Sequence, residues 1–204
     1  MQDLDRRSAL SFGITAASTL LLPHAADAGM TGMSGSPAPS ATAEGKGVAT
    51  GGKRGHVVAE GTDRVGNPIV FLNGRFDCKV SGQETDGRMC IFDTLRTRRG
   101  GPPLHYHRDQ DEWFFVREGE FLFQVGEDTF RLTAGDSILG PRGVPHAFAN
   151  VSETGRLVLV FQPAGSMEAF FRAGAVAGQR TQEEVARLHT LHGMEVVGPP
   201  LKID

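Results

Sequence analysis

Between Val57 and Gln162 the chain is a succession of short apolar runs, each cut off by Gly, Pro, Asp or Glu. The runs PIVFL, RFDCKV, RMCIFDTL, EWFFVRE, EFLFQVG, DTFRL, DSILG, HAFAN and RLVLVFQ are long enough for strands and too short for amphipathic helices. Many short strands at even spacing fold as a sandwich or barrel, so the expected class is all-β. With 27 Gly and 11 Pro among 204 residues, nearly one residue in five bends or loosens the backbone, which speaks against a helical bundle. A hydrophobic content of 39% fills one core, consistent with one domain plus its ends.

The ends read differently. Residues 1–28 have the form of an export signal: Arg6-Arg7, an uncharged stretch from Ala9 to Leu22, then Ala26-Asp27-Ala28 as a small-x-small cleavage site. Paired arginines resemble the twin-arginine signals that address folded proteins to the periplasm, although Ala9 stands where such signals commonly carry Phe. The apolar stretch is shorter than the roughly 20 residues of a membrane span, so none is expected. From Gly29 to Gly55, 20 of 27 residues are Gly, Ala, Ser, Thr or Pro, the composition of a flexible linker. The barrel is expected over residues 56–165. A C-terminal extension over 166–204 should carry one helix at Ser166–Ala173 and another opened by a Thr181/Glu184 capping box, ending at Gly193. Both are expected to pack on the outside of the barrel.

A formal charge of −3 gives no cationic field for phosphate backbones, so nucleic acid is not an expected partner. Two cysteines are too few for a disulfide scaffold. Pairing Cys78 opposite Cys90 about a turn at Glu84 allows a cross-strand disulfide, and two buried free thiols are equally open.

Three of the seven histidines sit among the strands. His105 and His107, two apart, share one face of a strand while Tyr106 points to the other. Glu112 follows across a polar loop, and His146 comes after the rigid turn of Pro141, Gly143 and Pro145. Three neutral imidazoles and a carboxylate suit one divalent Mn, Fe, Co, Ni, Cu or Zn ion and not Ca or Mg. Four protein ligands leave room for substrate on a six-coordinate ion. His56, His189 and His192 are read as ordinary surface or core residues.

At these residues the sequence resembles the cupin superfamily. The first cupin motif is matched by His105, His107, Glu112 and Gly119, except that Gly100 and Gly101 stand closer to the first histidine than the usual leading glycine. The second motif is matched throughout by Gly135, Pro141, Gly143, His146 and Asn150. The resemblance implies a double-stranded β-helix, or jelly roll, with His105, His107, Glu112 and His146 as metal ligands. Strand alternation then turns Phe114, Val116, Phe121, Phe123 and Phe148 inward as an apolar pocket, with Glu118-Gly119 as a hairpin turn. Trp113, Phe115 and Leu122 point outward and need cover, and a homodimer, common among cupins, is expected.

The leading functional expectation is a metal-dependent dioxygenase of the quercetinase-like kind, acting on a small aromatic or enol substrate, with Glu112 as the catalytic group that takes a proton. The alternative is a metal-dependent isomerase, lyase or decarboxylase, which usually needs an inward cation. Arg142 is the candidate, and a surface position is expected for it. A non-catalytic metal or ligand holder is the third reading.

Overall fold

The computed structural model describes residues 54–72, 74–175 and 180–203. The expected export signal and nearly all of the expected linker lie outside them. Among the described residues no helix is long and apolar enough to cross a membrane.

Two antiparallel sheets face each other. The first contains β1 (Ile69–Phe71), β2 (Gly74–Val80), β3 (Cys90–Arg96), β10 (Gly155–Gln162), β5 (Asp111–Glu118) and β8 (Ser137–Gly140), in that order. The second contains β11 (Met194–Pro200), β4 (Pro103–His107), β9 (His146–Asn150), β6 (Glu120–Val125) and β7 (Asp128–Thr133). β10 lies between β3 and β5, and β9 between β4 and β6, so the chain crosses repeatedly from sheet to sheet, which is the winding of a jelly roll. Strand alternation does the sorting: Phe114 and Val116 of β5, Phe121 and Phe123 of β6, and Leu157, Leu159 and Phe161 of β10 are all buried between the sheets. Each such side chain contributes about 1.5–3 kcal/mol by leaving water.

The segment at Gly119 departs from expectation. β5 and β6 belong to different sheets, so the chain turns a corner there and does not form a hairpin. Gly119 has φ 79°, and a Cβ on it would meet the Thr154 carbonyl oxygen at 2.7 Å. Phe114 and Phe123 consequently touch face to edge across the core, with ring centres 5.1 Å apart, and are not ladder partners.

The β2–β3 register also differs from the expected pairing. Cys78 lies opposite Phe92 and Phe76 opposite Thr94, because a 3-10 turn at Gly82–Thr85, capped by Ser81, and a bulge before Val80 take up residues differently from a simple turn about Glu84. Cys78 and Cys90 are both buried free thiols. Burial raises both above the ordinary thiol range, Cys78 to about 12. The expected result is that a thiol reagent at pH 8 modifies neither cysteine in the native protein and both after unfolding.

Beyond Pro163 the two helices appear as α1 (Met167–Gly174) and α2 (Gln182–Leu191), the latter with the Thr181/Glu184 capping box. They do more than cover the outside. Met167, Phe170 and Phe171 enter the core, where the Phe171 ring lies 4.5 Å from Phe76 and 4.9 Å from Phe92. The extension is also not wholly helical, since β11 pairs with β4 and sets Met194 opposite His107 and Val196 opposite His105.

Candidate metal centre

His105 and His107 occupy the inward positions of β4, and β9 opens with His146 directly opposite His105. Glu112 reaches them from β5 in the other sheet, so the four side chains meet between the layers. All four are buried, and one donor atom from each lies within 4.8 Å of every other. Oε2 of Glu112 stands 3.1 Å from Nε2 of His107 and 3.2 Å from Nε2 of His146.

The outer nitrogens fix the tautomers. Nδ1 of His105 lies 2.8 Å from the Pro103 carbonyl and Nδ1 of His146 lies 2.9 Å from the Val144 carbonyl; a carbonyl only accepts, so both Nδ1 atoms donate. Nδ1 of His107 faces Oε1 of Gln110 at 3.3 Å, and Gln110 is held in that sense because its Nε2 donates to the carbonyls of Pro163 and Ala164. With those protons committed, the Nε2 atoms of His107 and His146, as neutral imidazoles, each turn a lone pair toward the Glu112 carboxylate. Reconciling them requires either extra protons on crowded buried imidazoles or one cation among the four donors. The donor set therefore fits a divalent transition ion, with Gln110 and the two carbonyls orienting its ligands.

Residues 94–161, which span all four donors, match the family model for the cupin domain. This segment is similar to cupin domains. A curated relative, an uncharacterized protein of Streptomyces coelicolor, is 39% identical over 57 residues, 28% of this chain and 54% of that protein. The chain thus spans about half the length of the relative it matches. Similar solved structures include an RmlC-like cupin from Shewanella frigidimarina, with 24% identity, TM-score 0.44, and coverage of 53% of this chain and 89% of that one. A cupin-superfamily sugar phosphate isomerase from Silicibacter pomeroyi has 18% identity and TM-score 0.40, covering 46% of this chain and 61% of its own.

Beside its donors the chain forms a cavity of about 40 Å³, measured as space open to the centres of water molecules. Of the five expected pocket residues, Phe148 lines it; Phe114, Val116, Phe121 and Phe123 are buried in the core and are absent from the lining. Much of the wall comes from Phe71 and Phe76, from Phe161, from Met167, Phe170 and Phe171 of α1, and from His189 of α2. Arg142 lies outside it, half exposed and paired with Asp111 at 2.7 Å. The inward cation is Arg96, at the end of β3. Burial pushes its guanidinium down to about 10, against the pull of Glu112, so it stays charged at neutral pH.

Sequence reasoning missed three residues here. Arg96 continues the inward alternation of Phe92 and Thr94, so the signal was present two residues further along β3. His189 stands one helical turn beyond Val185, on the face that α2 buries. Gln110 sits in an irregular loop and carried no signal.

The electrostatics predict a pH response. Burial and the neighbouring His146 and His107 push His105 down to about 3, against the attraction of Glu112, and burial also lowers His189. Burial pushes the Glu112 carboxyl up, but His107 and His146 more than reverse this and leave it at about 2. The unfolded chain takes up protons at His105 and His189 near pH 6.5 and the native protein does not. Their stabilisation is therefore complete above about pH 6.5 and is lost as pH falls toward 3, with Glu112 adding to the loss from about 4.5 downward. Metal-free protein should lose on the order of a few kcal/mol across that window, read as a falling melting temperature. A flat profile between pH 7 and 4 would contradict this burial.

Proposed function

We propose that the chain is a metal-dependent dioxygenase acting on a small enol or aromatic substrate. The observation that carries the reading is a set of three imidazoles and one carboxylate, of which His105, His107 and Glu112 line a phenylalanine-walled cavity. A bound divalent transition ion would supply Lewis-acid polarisation of a substrate oxygen and the redox partner that dioxygen chemistry requires. His105, His107 and His146 would hold the ion through Nε2, their tautomers set by Pro103, Gln110 and Val144. The Phe148, Phe161 and Phe170 rings exclude water from the reacting region. Oε1 or Oε2 of Glu112 would take the enol proton; a carboxylate near pKa 2 is a weak base, so this transfer depends on a substrate already acidified by coordination.

A second reading, a metal-dependent lyase, isomerase or decarboxylase, is favoured by one observation: the buried charge of Arg96 on the cavity wall, where an acid substrate would be held. Metal-reconstituted protein assayed with small enols and oxo acids in an oxygen-electrode cell separates the two. Consumption of dioxygen in step with substrate supports the oxygenase. Undiminished turnover under anaerobic conditions overturns it in favour of the second reading. A homodimer belongs to the same proposal: Trp113 is 37% exposed and its ladder partner Leu139 50%, which makes the outer face of β5 and β8 the surface for a second copy.

A further inference from the structure

Arg96 is 3% exposed and closes the inward row of β3. Its guanidinium carbon lies 4.8 Å from the centre of the Phe76 ring and 4.9 Å from that of Phe148. Opposite it in the ladder is Gly74, where a Cβ would stand 3.0 Å from Nη1 and 3.2 Å from Cζ, so the absence of a side chain there leaves the guanidinium its space. Aromatic rings compensate the faces of a guanidinium, but its five N–H groups point outward in the plane. Those edges have no hydrogen bond or ion pair among the described residues, and Nε is buried without a partner. The same side chain walls the cavity shared by His105, His107 and Glu112.

A charged donor fork buried without an acceptor is costly unless a ligand supplies one. The charge count points the same way. With a divalent ion in place, the Glu112 carboxylate leaves the ion and Arg96 together in positive excess inside an apolar enclosure, which favours an anion. We infer that Arg96 anchors the carboxylate of a small organic acid whose other end reaches the metal centre, and that such acids are the substrate class of this site. The inference rests on the metal-dependent reading above and holds for either of its reactions. The planar fork accepts a carboxylate edge-on through two parallel hydrogen bonds, which fixes the orientation of the acid. The cavity holds about three waters' worth of space, which limits the acid to roughly four carbons or fewer.

The test uses the cobalt-loaded chain, with pyruvate as probe and methyl pyruvate as its uncharged counterpart. Binding is followed by calorimetry and by the visible cobalt spectrum, and metal content is measured first. Arg96→Gln should retain its cobalt, show an unchanged spectrum without acid, and bind pyruvate at least about 10-fold more weakly than the parent, the loss expected for a charged hydrogen bond. Methyl pyruvate should bind both proteins alike. Because the substitution removes an unpaired buried charge, its melting temperature should be no lower than the parent's. Should Arg96→Gln melt lower, Arg96→Lys carries the comparison: it keeps the charge and loses the fork, so pyruvate binding several-fold weaker than the parent's supports the anchor. Equal pyruvate affinity in parent and variant, with cobalt retained in both, overturns the anchor and leaves the metal reading standing. Failure of the parent chain to take up cobalt, manganese, iron, nickel, copper or zinc overturns the metal reading and the anchor together.

Discussion

His146→Ala is expected to weaken metal retention at least about 100-fold, measured by competition with a chelator and by elemental analysis after dialysis. Loss of a residue that merely orients a ligand costs about 10–100-fold, and His146 is placed to be a ligand itself. Its Nδ1 is tied to the Val144 carbonyl and its ring edge meets Phe114 at 5.9 Å, so Nε2 has one direction available, toward Glu112. No neighbour can replace it, because β9 presents Phe148 as its next inward residue. The deleted ring also leaves a void and an unpartnered carbonyl, for which a destabilisation of about 1–3 kcal/mol is expected. That loss is readable by urea denaturation of metal-free protein and separable from the metal effect. One equivalent of metal held at parental affinity would place the ion elsewhere.

Gly101→Ala should be the most damaging single methyl group in the domain. A Cβ at this position would lie 1.7 Å from the Phe148 carbonyl oxygen and 2.8 Å from its carbon. Both are backbone atoms of β9, so no side-chain rotation relieves the clash. Next to it, Gly100 exchanges backbone hydrogen bonds of 2.9 and 3.0 Å with Asn150. The glycine pair thus lays the entry to β4 against β9, two residues before β4 begins and four before His105. A loss of about 3 kcal/mol or more is expected, lowering the thermal midpoint by roughly 10 °C. Displacing β4 relative to β9 also separates His105 from His146, so the surviving folded fraction should bind metal more weakly. A variant with parental stability and parental metal affinity would contradict the close approach.

The donors were legible in the sequence because period-two alternation commits a whole strand to one face once a single residue is placed, and His105 and His107 commit each other. The spacing departure at Gly100 and Gly101 was visible too, but its meaning was not: the partner that demands these glycines is backbone some 50 residues away, which no local pattern encodes. The same limit explains Gly119. Alternation tells which face Phe114 and Phe121 take, and it is silent on whether consecutive strands share a sheet. Corner and hairpin differ only through contacts made by Thr154 and the rest of the distant chain. The pocket shifted for a related reason. Its wall is built largely by α1, whose phenylalanines read as the apolar stripe of a packing helix, and the tertiary position of that helix is set by Phe71, Phe76 and Phe92.

The pairing of β11 with β4 has a consequence for biosynthesis. The strand bearing two donor histidines is flanked on one side by residues 194–200, translated almost 90 codons after it. While those residues are still inside the ribosome, β4 has an open edge and Met194 is not yet beside His107. The ion site is therefore expected to stay unfinished until residues 194–200 have emerged and paired with β4. Whichever metal is most available when that edge closes has the first opportunity to fill it.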